Sequence, residues 1–224
     1  ALEARIRPHY PKAGRGRRPH PLRTMLRLYC VQQWFNLSDP AAEDALYDSE
    51  AIRRFVGVEL ADDAVPDEST ILRFRHLLER SHLTAQLFGA ITAHLEAKRL
   101  LLRTGTIVDA TIIAAPTSTK NATGTRDPEM RQTRQGQAWH FGMKLHVGTD
   151  PRGIVHTVTA TDAATADITQ LPYLVHGQER TLYGDQAYWH ASHREHWEAS
   201  GGQYRVNRRG TAARPLTAAQ RAAN

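Results

Sequence analysis

The stretch Gly105-Thr106-Ile107-Val108-Asp109-Ala110-Thr111-Ile112-Ile113 decides how this 224-residue chain is read. It is rich in β-branched residues and lacks a helical period, which predicts a strand over 106–113. It also marks a change of regime. Upstream, apolar residues recur at helical spacing; downstream, the period becomes 2. The expected boundary therefore lies near residue 103, with a helical domain over 1–102 and a sheet-based domain over 103–224.

Working back from that boundary, Leu22, Met25, Leu26, Tyr29 and Gln33 predict a helix over 22–36. Asp39 ahead of Pro40 reads as the cap of the next helix. Ser49 opens a short helix carrying Ile52, Phe55 and Val56. The run from Pro66 to Thr70 opens another, with Ile71, Phe74, Leu77 and Leu78 on one face. Thr84 is the expected cap of a last helix through Leu95. Trp34, Phe35, Phe74 and Phe88 fit helical core rows.

Working forward, 140–149 alternates, with Phe141, Met143, Leu145 and Val147 on one face and His140, Lys144 and His146 on the other. Asp150-Pro151-Arg152-Gly153 is a turn that pairs this strand with one over 154–161. A helix over 164–176, weakened by Pro172, leads to a short strand over 181–183 that ends near Asp185. A helix over 190–199 and a strand over 203–207 follow. Three successive strands, then strands alternating with helices, predict a mixed sheet with helices packed on it. Residues 116–137 are polar and aperiodic, and read as a long loop of the kind that is usually functional.

Composition narrows the function classes. Hydrophobic residues are 41% and charged residues 23%, so the chain is globular rather than disordered. No apolar run approaches the roughly 18 residues of a membrane helix, and no apolar segment at the start resembles a secretory signal. The single cysteine, Cys30, excludes an intrachain disulfide and a cysteine zinc cluster. A reducing, cytoplasmic compartment without membrane partners is the expectation. The net charge is +6, which favours polyanionic partners. The excess is concentrated at the start, where Arg5, Arg7, Lys12, Arg15, Arg17, Arg18, Arg23 and Arg27 face Glu3 alone. This segment reads either as a solvated tail or as a nucleic-acid arm.

Two acids stand at strand positions of one expected sheet. Asp109 interrupts an apolar strand, where a carboxylate is costly unless paired or metal-bound. The alternative is a buried Asp satisfied by Arg or backbone N–H groups. Asp185 stands just past a short strand, where a turn or helix-cap role is the alternative. Paired carboxylates in a basic chain are what a divalent-metal phosphodiester site requires, because hard cations such as Mg²⁺ or Mn²⁺ prefer carboxylate oxygen.

At these residues the chain resembles the DDE transposases of bacterial insertion sequences, in the insertion-sequence-five group. The matching stretches run in order along nearly the whole chain. They are Gln32 to Asp39, Ile71 to Leu78, Gly105 to Thr111, Ser118-Thr119-Lys120-Asn121, Arg126-Asp127-Pro128-Glu129-Met130, and Phe141-Gly142-Met143-Lys144. The resemblance implies a helical DNA-binding domain ahead of an RNase H-like catalytic domain. It implies that Asp109 and Asp185 are the first two catalytic, metal-holding acids. The third, a Glu, would follow a segment matching Tyr204 to Gly210 by some tens of residues. No Glu follows Glu198, so the expectation is a C-terminally truncated domain with its third acid missing.

What the resemblance implies of activity is cleavage and strand transfer at insertion-element ends. Double-stranded DNA of the terminal repeats and of the target would be the substrate, with the protein assembled on it as a homo-oligomer in the bacterial nucleoid. A catalytically incomplete, DNA-binding fragment is the alternative. The expected DNA-binding residues are Lys12, Arg15, Arg17, Arg18, Lys120, Arg126, Arg131, Arg134 and Lys144. Lys144 reads equally as a salt-bridge partner. Gly184 and Ala187 depart from the family's usual Ala and Gly around the second Asp, and Ala166 replaces a frequent His. His190, His193 and His196 read as a chance grouping rather than zinc ligands. Glu195 and Glu198 are weaker substitutes for the third acid. Trp139 is read as packed, with base stacking as the alternative.

Overall fold

The computed structural model describes residues 1–14, 18–116, 125–210 and 214–224. Arg15, Arg17 and Lys120, and with Lys120 the stretch Ser118 to Asn121, lie outside the described residues. Two compact units divide the chain, Ala1–His94 and Leu95–Asn224. The division falls inside a helix, several residues ahead of the change in periodicity that sets the sequence boundary.

The first unit holds helices α1 (Leu2–Ile6), α2 (Leu22–Trp34), α3 (Asp39–Asp48), α4 (Glu50–Val56), α5 (Glu68–Arg80) and most of α6 (Leu83–Ala97). Its start is not a free arm. Ile6 is fully buried against Met25, Phe74 and Leu78, and the Tyr10 hydroxyl donates to the His20 carbonyl at 2.7 Å. Periodicity missed α1 because five residues are too few to show it. Ser38, not Asp39, caps α3 through the Ala41 N–H. Asp39 instead receives Arg75 through two bonds of 2.9 and 2.7 Å and Gln32 at 2.6 Å, which ties α2, α3 and α5 together. The Arg75 guanidinium in particular holds the Asp39 carboxyl below its ordinary range. Asp67 caps α5 and Ser49 caps α4. Trp34 and Phe35 depart from the core reading. They are 66% and 63% exposed at the end of α2, with the Trp34 ring against Phe55.

The second unit is a six-stranded mixed sheet, consisting of β1 (Gly105–Ala114), β2 (Arg131–Gln135), β3 (Ala138–Thr149), β4 (Val155–Asp162), β5 (Thr181–Gly184) and β6 (Gln203–Val206). β3 runs antiparallel to β1, β2 and β4, while β1, β5 and β6 are mutually parallel neighbours. This is the RNase H-like arrangement that the resemblance implies. The expected helix over 164–176 is instead a 3-10 turn (Asp167–Gln170) followed by the single-turn α7 (Leu171–Leu174). Pro172 sits at the start of α7, where its missing N–H costs nothing. After β5 come a 3-10 turn (Gln186–Tyr188) and α8 (Ala191–Ala199), and α9 (Ala218–Ala223) lies last.

Paired residues share a sheet face, so the register fixes the two faces. One carries Thr106 and Val108 with Gly148, Leu182, Gly184, Tyr204 and Val206. It is buried under Leu171, Leu174, Tyr188 and, from α8, Trp197. Glycine at 148 allows this closeness, since a Cβ there would meet the Leu174 carbonyl oxygen at 2.5 Å. The other face carries Ile107, Asp109, Thr111 and Ile113 with Leu145, Val147, Val158 and Tyr183. Ile107, Ile113, Val158 and Tyr183 are exposed there. Asp150 anchors the β3–β4 turn. It is fully buried and accepts from the N–H groups of Leu102, Arg152 and Ile154 at 2.9–3.0 Å.

Candidate active site

The site begins with the parallel pairing of β1 and β5, which extends to Val108↔Gly184. Asp109 and Asp185 are the next residues of the two strands. They therefore stand at one level on neighbouring chains, whose backbones are about 5 Å apart in a sheet. Asp109 falls on the open face and is exposed, in contrast to the buried carboxylate that an apolar strand suggests. The apolar neighbours Val108 and Ala110 point to the opposite face, and Ile107 is itself open to solvent, so no desolvation cost arises. Asp185 is exposed too, in extended backbone at the head of the 3-10 turn.

Each carboxylate is oriented by one backbone donor. Asp109 Oδ1 accepts from the Ala110 N–H at 2.8 Å, and Asp185 Oδ1 accepts from the Ala187 N–H at 2.9 Å. Asp185 is thus both the turn cap of the alternative reading and a neighbour of Asp109. Among the described residues neither acid has a cationic partner within salt-bridge distance. Two adjacent, exposed carboxylates with spare oxygens and no such counter-charge suit a hard divalent cation, so the donor set fits Mg²⁺ or Mn²⁺. No group of three or more His, Cys, Asp or Glu side chains able to hold a metal occurs among the described residues.

Two further residues belong to this neighbourhood. Tyr188 is buried beneath the pair, and its hydroxyl has no hydrogen-bond partner among the described residues. Burial first, and then the negative charges of Asp167, Asp109 and Asp185, push its phenol well above the ordinary value. One hydroxyl therefore senses three carboxylates. The third of them, Asp167, is held by Lys144 at 2.8 Å, and Lys144 also donates to the Thr165 carbonyl at 2.8 Å. Only 12% of the Lys144 side chain is exposed. Lys144 pairs in register with Ile112, so it stands on the face away from Asp109, as an ion-pair partner rather than an open cation. His146 lies beside it, fully buried, with Nδ1 3.7 Å from Asp167. Burial above all holds its imidazole below the ordinary value, against the opposing pull of Asp167. The sequence signal for Asp167 was the need of a half-buried Lys144 for an acid. Tyr188 gave none beyond its place in the Asp185 motif.

The remaining cations are spread over both units. Lys12 and Arg18 are exposed in the first. In the second, Arg126 stacks over Phe141 at 5.2 Å, and Arg131 and Arg134 project from β2. β2 falsifies the expected loop over 116–137 in its last third. Glu198 is paired with Arg194 at 2.7 Å on α8, which packs on the covered face, and Glu195 is exposed on the same helix.

A family model described as a transposase DDE domain matches residues 101–221. The chain belongs to the DDE transposase family. A second model, a transposase domain (DUF772), matches residues 1–77 of this transposase-family chain. A solved structure, that of the Mos1 strand transfer complex, is 15% identical to it, with a TM-score of 0.26. The match covers 87% of this chain and 60% of that one, so this chain spans less than two thirds of the length of the chain it matches. Among the described residues, no helix of the transposase is long and apolar enough to cross a membrane.

Proposed function

We propose that this chain acts in DNA transposition, as a member of the insertion-sequence-five group, with Asp109 and Asp185 as catalytic acids and metal ligands. The observation that carries the reading is their register: each stands one residue past the last β1–β5 pair, Asp109 within β1 and Asp185 just beyond the end of β5. Residues 103–224 would form the catalytic domain. Residues 1–102 would bind DNA, with Lys12 and Arg18 on phosphates. Arg126, Arg131 and Arg134 would hold the duplex beside the acids. Phosphate contacts of this kind supply affinity rather than sequence choice.

A bound Mg²⁺ or Mn²⁺ would supply Lewis acidity and neutralise charge on the phosphodiester undergoing attack. The Ala110 and Ala187 N–H groups keep the two carboxylates aimed while DNA enters. In the hydrolytic step water oxygen bonds to phosphorus, the P–O3′ bond breaks, and the freed 3′ oxygen leaves as a hydroxyl. The oxygen of that hydroxyl then bonds to a target phosphorus as the target's own P–O3′ bond breaks, and the target's 3′ oxygen leaves as a hydroxyl with the proton given up by the attacking one.

A second reading has an observation in its favour. No third acid joins the pair in a metal-holding group among the described residues. On this reading the chain is a catalytically incomplete fragment that binds element-end DNA and cuts it poorly. One experiment separates the two. Duplexes bearing candidate element ends are incubated with the chain and Mg²⁺ or Mn²⁺, beside Asp109→Asn and Asp185→Asn. Divalent-dependent nicking lost in both variants supports catalysis. Binding without nicking supports the fragment. Absence of DNA binding sinks both.

A further inference from the structure

β3 is longer than its partner β1. Their last register pair is Ala114↔Gly142, so residues 138–141 of β3 continue past the end of β1, paired there by β2. The result is a two-stranded ribbon that closes at Gly136, whose carbonyl accepts from Arg134 Nε at 3.1 Å. Its composition is unlike the rest of the sheet. From Arg131 to Gly142 there are two arginines and no acid. Trp139 is 67% exposed, against the packed role expected for an indole of its size. It pairs directly with Arg134, so indole and guanidinium emerge side by side.

The same register relates the ribbon to the acids. Counting along β3, Trp139, Phe141, Met143, Leu145 and Val147 share one face, and Val147 pairs with Asp109. Phe141 carries Arg126 above it at 5.2 Å. This side of the strand holds, in order, the exposed Trp139 with Arg134, then the buried Phe141 with Arg126 over it, then the acid level. From Val147 to Trp139 is eight residues, or about 26 Å at about 3.3 Å per residue. Duplex DNA rises about 3.4 Å per base pair, so this distance corresponds to about eight base pairs.

We infer that β3 is a ruler: with a duplex lying along the open sheet face and its reacting phosphodiester at Asp109 and Asp185, Trp139 and Arg134 grip the DNA about eight base pairs away. Trp139 supplies a groove-edge surface and Arg134 a phosphate contact. A two-stranded ribbon is the right width for a major groove, where an indole can pack on thymine methyls and base edges. The charge argues for DNA as occupant, since the ribbon is cationic and without acids. The inference deepens the transposase reading and rests on it. Trp139 is here a positioning residue, not a catalytic one.

The test is affinity against duplex length. Blunt duplexes of one arbitrary sequence, from 6 to 24 base pairs, are titrated onto the full chain in Ca²⁺ by fluorescence anisotropy. Affinity of the wild-type chain should step upward once the duplex exceeds about eight base pairs. Trp139→Ala should bind long duplexes about tenfold more weakly, or about 1.4 kcal/mol. It should bind the 6-mer as the wild type does, and Trp139→Phe should recover much of the step. The exposed position makes misfolding no alternative explanation, and an unchanged melting temperature checks this. Equal loss at every length, or no loss, overturns the ruler while leaving the transposase reading intact. So does a variant whose sedimentation changes while its DNA affinity does not, because the ribbon then contacts a second copy of the chain. A wild-type chain that binds no duplex overturns both.

Discussion

The two faces of β1 are made by alternate residues of one strand and have opposite fates. Thr106 and Val108 lie under α7, Tyr188 and Trp197. Ile107, Asp109, Thr111 and Ile113 face outward and stay exposed. The covered face provides stability, and the open face carries the chemistry proposed for the chain. Uncovered β-branched residues beside two acids are poor packing, yet they leave a broad surface that a duplex can reach. An Asp on the covered face would need a partner, as Asp167 has in Lys144. On the open face it keeps its charge at no desolvation cost.

The contrast is broken most severely at the acids. Asp109→Asn or Asp185→Asn should reduce divalent-dependent nicking about a thousandfold, at about 1.4 kcal/mol of barrier per factor of ten. Stability should change by less than about 0.5 kcal/mol because both sites are exposed. Parallel nicking assays and denaturant melts measure the split, and a variant that loses activity by unfolding would contradict it. On the covered face the effect should be purely structural. Leu174→Ala, at a site with 0% exposure, should cost about 2–5 kcal/mol, read from urea unfolding. Ile113→Ala on the open face should cost under about 0.5 kcal/mol. Similar costs at the two positions would mean that the open face is covered in solution.

Asp150 gives an intermediate effect. Burial raises its carboxyl, but the bonds from Leu102, Ile154 and Arg152 outweigh this and leave it below the ordinary 3.8. A lowered folded value means stability that is complete above the unfolded value and lost as pH falls through the folded one. Asp150→Ala should cost about 3 kcal/mol at neutral pH, given three bonds to a charged acceptor. It should also flatten the melting curve's decline below pH 4. A decline as steep as the wild type's would remove Asp150 as its source.

The smallest effect sharpens the comparison by pH. His146 and His156 both lie against the covered face, and burial is the largest cause holding each below the ordinary 6.5. The charge of Asp167 opposes this at His146; at His156, His176 adds to it and Glu179 opposes. Because the unfolded chain takes up protons first, stability should fall as pH drops from about 6.5 through the lowered folded values. His156→Asn should flatten that fall in a thermal melt between pH 8 and pH 5. The open face carries no histidine in β1 and should add nothing to it.

The sequence made the strands legible wherever one face was apolar. β1, β3, β4, β5 and β6 follow their alternation to within a residue or two. β2 escaped because Arg131-Gln132-Thr133-Arg134-Gln135 has no apolar face, and backbone pairing to β3 alone makes it a strand. The helix expected over 164–176 is replaced by a 3-10 turn and a single α-turn, which bury Leu171 and Leu174 without a continuous helix. At the site, strand position and the family resemblance pointed to Asp109 and Asp185. It did not tell which face each acid would take, since one step in register reverses every side chain. The fate of Lys144 was likewise undecidable, because its partner lies 23 residues away.

The parallel pairing of β1 with β5 also dictates an order of assembly. β1, β3 and β4 are joined by antiparallel neighbours in chain sequence, so this meander can form while the ribosome is still adding residues. β5 reaches β1 only after the whole intervening crossover has been made, a non-local contact that folds late. The two acids therefore come together last. A nascent or prematurely released chain carries Asp109 on a formed strand without Asp185 beside it, and the pair arises only when β5 has joined the sheet.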